Sequence, residues 1–421
     1  MDNCGKREYA LLEKIGFVRV SGSEEEKKAA GMLMEEVRAL GVEAVLEPFP
    51  VTHYEVKKVK FEMLEPEYRE FEVLGYGYSG CTDSEGLTAE LAYVQQATPM
   101  ELRNVKGKIV LINGRLTPDI YERIVKAGAA GFITWSGTVV DDVERTDIEK
   151  RELRESHWRH GKCPGITMRA RDAMELVGSG AKTVRLTLVQ EENERDSHNV
   201  IATLPGTECP DEEIYFVAHY DSTPYSNGVY DNGAGSAIIL EMMRHFIANP
   251  PRRSLRFIWF GSEERGLLGS KYYVSAHESE LEKMQLLINV DMAGPILGTD
   301  RAFITADVSL QHMVDYLGAE IGFPIHTVQD VYSSDSTPFA DKGVPAISFA
   351  RFGASGAAPG HDRNDLLEHL SAESLQKTTD FIQLFSERIV SSTWFPVPRE
   401  MPDNMLEAID NYMHRWDKKQ K

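Results

Sequence analysis

The sequence predicts an α/β protein, with a mixed, mostly parallel sheet covered by helices on both faces and a β-rich domain inserted into it. Three observations lead there. After Asn193, near-continuous apolar strands alternate with helices, the pattern of strands buried on both faces. From about Val51 to Glu192 the character changes to short strands. Helical segments at residues 6–41 precede that stretch and are expected to return to the α/β layer. A chain of 421 residues has room for this, at roughly 150 residues per domain. The expected division is 1–50 for N-terminal helices of the main domain, 51–192 for the insertion, 193–395 for the main domain and 396–421 for a C-terminal amphipathic helix.

The elements follow in order. In "SGSEEEKKAAGMLMEEVRALG", Ser23 with Glu26 fits a capping box, and Ala30, Leu33, Met34, Val37 and Leu40 form an apolar stripe. "VEAVLEPF" reads as a strand. The insertion offers "VKFEML", "EFEVLGYG" and "AELAYV" as short strands. A strand-helix-strand unit, "KGKIVLINGRLTPDIYERIVKAGAAGFITWSG", follows, then "PGITMRARDAMELVGSG" as strand and helix, and "KTVRLTLV". In the main domain "NVIATLPG", "EIYFVAHYD", "SLRFIWFG", "QLLINVDM", "AFITAD" and "VPAISFA" read as strands. "GAGSAIILEMMRHFI", "SLQHMVDYLGAEIG" and "AESLQKTTDFIQLFSERIV" read as helices. The tail places Met405, Ile409, Met413 and Trp416 on one helical face, which fits docking on its own domain or a subunit contact.

A net charge of −20 argues against nucleic acid or an anionic membrane as the main partner. No stretch is long and apolar enough to span a bilayer, and the N-terminus lacks the apolar core of a signal peptide. Four cysteines, Cys4, Cys81, Cys163 and Cys209, lie far apart with no CxxC spacing. A cytoplasmic protein is expected.

Several strands of the main domain end in a metal-type ligand. "FVAHYDS" ends in His219 and Asp221, and "GVYDNGAGSA" puts Asp231 just before a helix start. "FGSEERG" gives Glu263 and Glu264, "LLINVDMAG" gives Asp291, and "GHDRNDL" gives His361. In an open α/β sheet, ligands bind beyond the carboxyl ends of the strands, so residues distant in sequence can converge there. A single strand-terminal Asp is commonly a turn or a cap; five or six such residues on one edge are a pattern. Imidazole plus carboxylate without thiolate suits zinc or a related divalent ion in a hydrolytic site. Two His and three carboxylates suffice for two open sites if one carboxylate bridges, and Asp231, short and held at a helix start, is the natural bridge. His157, His160 and Cys163 in "SHWRHGKCPG" lack a further ligand and read as a polar loop.

The string "HYD…YDNGAG…SEERGLLGS…NVDMAG…SDSTPF…HDRNDL", from about Asn199 to Val390, resembles the co-catalytic zinc exopeptidases of the aminopeptidase Y type. Their relatives include glutaminyl cyclases, transferrin receptor and glutamate carboxypeptidase. The resemblance implies a phosphorylase/hydrolase-like exopeptidase sandwich and cleavage of N-terminal peptide bonds in peptide substrates. It implies two Zn2+ ions, or ions such as Co2+ or Mn2+: one on His219 and Asp291, the other on Glu264 and His361, with Asp231 bridging. By the same resemblance Asp221 orients His219, Glu263 is the general base, and the Asp231–Asn232 peptide is cis. Some relatives have a Tyr before the last His; here Gly360 stands there, which leaves Tyr332, Tyr225 or Tyr230 to steady an oxyanion, beside Asp335 of the "SDS" run. Asp365 is expected to support His361 or its loop, or to cap a helix. "VKGKIVLINGR…ERIVKAGAAGFITWSG" resembles a protease-associated (PA) domain, with a role in covering the cleft or in homo-oligomer assembly. A cyclase, or a carboxypeptidase or dipeptidase for acidic residues using Arg301, Arg351 or Arg363, is the alternative activity. A non-catalytic receptor-like homologue is the alternative without chemistry.

Overall fold

The computed structural model describes residues 3–413. The chain divides into two compact units, 1–51 with 195–421 and 52–194. It opens with α1 (Cys4–Ile15) and α2 (Glu24–Ala39), then β1 (Ala44–Met63), β2 (Arg69–Phe71), β3 (Val73–Gly75), β4 (Leu87–Tyr93) and β5 (Ile109–Leu111). Next come α3 (Pro118–Lys126), β6 (Gly131–Ser136), α4 (Glu155–Trp158), β7 (Gly165–Arg169), α5 (Ala170–Gly178) and β8 (Thr183–Leu204). The chain continues with β9 (Cys209–His219), α6 (Ala234–Ala248), β10 (Arg253–Phe260), α7 (Leu268–Ala276), β11 (Met284–Val290), β12 (Gly298–Thr305) and α8 (Val308–Ile321). It ends with β13 (Ile325–Val328), α9 (Ser336–Ala340), β14 (Ala346–Gly353), α10 (Ala372–Ser391) and α11 (Asp403–Tyr412). Two expectations merge here: "VEAVLEPF" and "VKFEML" form one strand, β1, and "KTVRLTLV" and "NVIATLPG" form another, β8. Their polar middles read as breaks in the sequence, but a ribbon exposed along part of its length accepts polar residues.

In the first unit the strands lie in the order β13-β12-β14-β11-β9-β10-β8. The four central strands, β14, β11, β9 and β10, are parallel, while β12 and β8 join antiparallel. Alternation along β9 explains the two covered faces. Ile214, Phe216 and Ala218 enter a core with residues of α1, α2, α6, α8 and α10. Tyr215 and Val217 enter the opposite core with Tyr273 of α7, Phe339 of α9 and Ile409 of α11. The tail helix is thus docked on its own unit through Ile409 and buried Met405; Trp416 lies outside the described residues. No helix among the described residues is long and apolar enough to cross a membrane.

In the second unit β4 pairs antiparallel with the first half of β8. Strands β4, β5, β6 and β7 run parallel in that order and β3 closes the edge antiparallel. His157 departs from the polar-loop expectation. It is a buried core residue whose Nε2 lies 3.1 Å from the Leu116 carbonyl and whose Nδ1 accepts from Arg154 N at 3.2 Å. Its neighbours in sequence hid this, since "SHWRHGK" has no apolar period.

One buried acid in α1 makes the first unit's stability depend on pH. Glu8 is 1% exposed; Oε1 accepts from Thr379 Oγ1 at 2.6 Å, and among the described residues Oε2 has no hydrogen-bond partner. Burial, with repulsion from Glu241 and Asp380, pushes its carboxyl from 4.5 up to about 8, against the Thr379 bond and Arg7. Between those values the folded state holds a proton that the unfolded state has released, so this group's contribution falls as pH rises through the window. Glu8→Gln should therefore be more stable than the parent at pH 9, by on the order of 1–3 kcal/mol. At pH 4 the gap should close, as denaturant titrations at the two pH values will show.

Candidate metal centre

Every predicted ligand sits at the carboxyl end of a central strand or in the segment that follows it. His219 is the last residue of β9, Asp291 follows β11 directly, and Glu263 and Glu264 lie just past β10. Asp231 lies between β9 and α6, and His361 follows β14. The two oxygens of Asp231 face two different imidazoles: Oδ1 is 3.2 Å from His219 Nε2, and Oδ2 is 3.0 Å from His361 Nε2. His219 Nε2 also lies 3.5 Å from Asp291 Oδ1 and 3.9 Å from Glu263 Oε2, and His361 Nε2 lies 3.2 Å from Glu264 Oε2. Two groups of ligand-type atoms result, His219 with Glu263 and Asp291, and Asp231 with Glu264 and His361. Glu263 thus stands at ligand distance as well as beside its neighbour Glu264.

Backbone conformation around these residues is costly and firmly held. Among the described residues of the first unit, the non-glycine residues with positive φ are Tyr225, Ser262, Leu267, Met292 and His361. All flank the ligand loops, where left-handed backbone needs support from its surroundings. The Asp231–Asn232 peptide is cis. The Asn232 side chain ties this turn to β11: Nδ2 donates to Val290 O at 2.8 Å, and Oδ1 accepts from Gly235 N at 2.9 Å and Met292 N at 3.0 Å. Gly235 has to be glycine, because a Cβ there would lie 2.2 Å from the Val290 carbonyl oxygen.

Asp221 is fully buried and does two things. One oxygen lies 3.4 Å from His219 Nδ1, and the pair of oxygens accepts from Glu263 N at 2.9 Å and Glu264 N at 3.2 Å. Asp365 differs from expectation. It does not hold His361; it accepts from Tyr230 N at 2.8 Å, Asp231 N at 3.2 Å and Ser226 Oγ at 3.1 Å, fixing the loop that carries Asp231. Arg19, fully buried, completes this support. Its guanidinium donates to the carbonyls of Tyr220, Ile15, Phe17, Asn227 and Gly228, across both the His219 and the Asp231 loops. The sequence gives no role to Arg19 and places Asn232 only in the cis peptide; the apolar stretch around Arg19 is the available signal, since an arginine there must be buried or break the pattern.

Electrostatics follow from burial of many acids together. Burial raises Glu263 well above the usual carboxylate range and takes Glu264 and Asp335 up to about 7. For Asp231 burial also opposes ionisation, but the imidazoles of His219 and His361 outweigh it and hold the carboxyl below its ordinary range. Burial disfavours charge on His219 too, yet Glu263, Asp221, Asp231 and Asp291 together raise its pKa; Glu264, then Asp231, raise that of His361. The cluster therefore calls for positive charge. Among the described residues, Glu264 Oε1 is buried without a hydrogen-bond partner, and Asp335 is buried beside the Ser270 hydroxyl. An orphaned carboxylate oxygen beside an imidazole nitrogen is what a divalent cation would satisfy, so the donor set fits such an ion.

Of the candidate tyrosines, Tyr230 is committed. Its hydroxyl donates to Arg351 O at 3.0 Å and accepts from Gly353 N at 2.9 Å. Tyr225 is 41% exposed, and Tyr332 stacks on Phe303 with centroids 4.7 Å apart, the acids Asp291, Asp231 and Glu263 adding to burial in raising its pKa. Of the arginines, Arg351 is spent on Asp300 and the Pro295 carbonyl, while Arg301 lies over the Phe352 ring.

Residues 199–386 match the family model described as Peptidase family M28. The chain is 29% identical over 392 residues to Aminopeptidase YwaD of Bacillus subtilis (strain 168), covering 88% of this chain and 81% of that protein. It is 25% identical over 364 residues to Carboxypeptidase Q of Bos taurus, covering 82% and 76%. Among solved structures, a zinc aminopeptidase from Bacillus subtilis, BSAP, aligns with TM-score 0.78 and 25% identity over 94% of this chain and 98% of that one. An aminopeptidase from Aneurinibacillus sp. strain AM-1 shares the fold, with TM-score 0.75 and 23% identity over 94% and 96%.

The Asp365 contacts can be tested without substrate. Asp365→Asn turns an amino group toward backbone donors, so metal affinity of the purified protein should fall about 10–100-fold. A competitive chelator titration will read this directly.

Proposed function

We propose that the protein is a zinc-dependent aminopeptidase that removes the N-terminal residue of peptides, since residues 199–386 match the model of peptidase family M28. The observation that carries this reading is the pair of Asp231 oxygens facing two separate imidazoles, each within a three-residue ligand group. Support comes also from the two Bacillus relatives, named as an aminopeptidase and a zinc aminopeptidase. In this reading His219 and Asp291 would hold one ion, Glu264 and His361 would hold the other, and Asp231 would serve both. Divalent ions bound there would supply Lewis acidity and lower the pKa of water.

The chain's own residues then have separate tasks. Glu263 takes a proton from the attacking water as its oxygen bonds to the scissile carbonyl carbon. When the carbon–nitrogen bond breaks, Glu263 returns that proton to the departing amine. Asp221 fixes the backbone of Glu263 and Glu264 and sits behind His219. Tyr332, close enough to Asp291, Asp231 and Glu263 for them to raise its pKa, is the tyrosine assigned to the oxyanion, with Tyr225 and Asp335 as further contacts at the site. The residues 52–194 make up the PA-like unit in this reading. Free, widely separated cysteines fit a cytoplasmic protein.

Glu263→Gln should retain metal and lose about 10²–10⁴-fold in kcat. Glu264→Ala should instead lose metal, seen by elemental analysis. The decisive panel is aminoacyl reporter amides against N-blocked controls; cleavage of blocked peptides alone would remove the aminopeptidase reading.

A further inference from the structure

The capping-box expectation at Ser23 and Glu26 holds in one half only, and the other half leads to the catalytic turn. Ser23 Oγ accepts from Glu26 N at 3.1 Å, as a cap should. The Glu26 carboxylate does not turn back to Ser23 N, which bonds to the Val20 carbonyl instead. It is fully buried: Oε2 accepts from Gly22 N at 2.7 Å, and Oε1 accepts from Ser197 Oγ at 2.8 Å, Ser262 N at 3.0 Å and Ser262 Oγ at 3.1 Å. Ser21 Oγ adds a 2.5 Å contact to Ser262 Oγ.

Ser262 is the residue before Glu263, and its φ is +58°. A serine in left-handed backbone is strained unless its surroundings hold it. Asp221 takes the next two amides, of Glu263 and Glu264. Three consecutive backbone N–H groups, 262 to 264, are therefore held by two buried carboxylates that come from different parts of the chain. At Gly261 the fit is closed: a Cβ would lie 2.5 Å from Ser197 Oγ and 3.0 Å from Glu26 Oε1. The backbone entering the turn can neither shift nor carry a side chain there.

We propose that Glu26, which lies outside the segment matched to the peptidase family, is a positioning residue for Glu263 and acts through the backbone of Ser262. The proposal rests on the assignment of Glu263 as general base. Glu26 fixes the direction in which the Glu263 side chain leaves the turn, and so the distance over which the proton moves. A purely architectural role, joining α2 to the sheet, would give the same burial but would not depend on the strain at Ser262.

That dependence supplies the test, made on the full-length metal-loaded enzyme. Glu26→Gln preserves volume but presents an amide N–H to one set of donors. Its kcat should fall about 10–100-fold with KM within about twofold and metal content unchanged. Glycine tolerates positive φ without a Cβ penalty, so Ser262→Gly in the Glu26→Gln background should recover part of the lost kcat. In a Glu263→Gln background, Glu26→Gln should cost little more. A kcat loss under about twofold for Glu26→Gln, a deeper loss on adding Ser262→Gly, or full additivity with Glu263→Gln would each overturn the proposal. The thermal midpoint of the metal-free protein gives a readout independent of peptidase activity. Glu26→Gln should lower it and Ser262→Gly should restore part of the difference. If the parent cleaves no peptide, the functional reading falls while this coupling is still measured; if the parent is active and the coupling is absent, only the role of Glu26 falls.

Discussion

Crowding of acids at one buried edge is the constraint on which the first unit depends. Asp221, Asp231, Glu263, Glu264, Asp291, Asp335 and Asp365 lie in loops following β9, β10, β11 or β14, or before α9, all largely withdrawn from water. Bringing such groups together costs free energy unless donors or cations meet them. The chain meets them in three ways. Backbone amides take Asp221 and Asp365. A buried guanidinium, Arg19, adds positive charge near Asp365, Asp221 and Asp231. Two imidazoles face Asp231 from either side, while Glu264 Oε1 stays buried with no hydrogen-bond partner among the described residues.

Support for this arrangement arrives from well outside the ligand loops. Arg19 lies between α1 and α2 and Glu26 in the first turn of α2, and each reaches the site by hydrogen bonds to backbone rather than to ligand side chains. Backbone-directed support suits a metal or catalytic centre, because it fixes where a side chain starts while leaving its functional atoms free. The glycines at 235 and 261 belong to the same logic: both allow close approach where a methyl group would meet a main-chain or side-chain oxygen.

Much of this was legible in the sequence, and the residues show why. Long apolar strands such as "SLRFIWFG" carry their own evidence, since burial on both faces leaves no polar alternation to misread. The candidate ligands stand out in the sequence because most of them end such a strand or follow it directly, while Asp231 precedes a helix start and His361 lies in a polar loop. What stayed hidden was support by polar side chains with two plausible uses. Glu26 has the right spacing for a cap, and only the tertiary fold decides that its carboxylate serves Ser262. Asp365 likewise reads as a partner for nearby His361, yet it bonds to Tyr230 and Asp231, more than 130 positions away. β1 and β8 were divided because exposed polar stretches look like turns when the partner strand is unknown.

The contact between Glu26 and Ser262 spans 236 positions, and this separation has a consequence for synthesis. The ribosome releases the acid that holds the turn long before the turn itself exists, with the whole of residues 52–194 made in between. Until β10 emerges, the Glu26 carboxylate has none of its Ser262 donors and stays hydrated. Closing so long a loop comes late, after local helices and the intervening unit can form. The turn at residues 262–264 thus gains this hold only once a contact spanning 236 positions has closed.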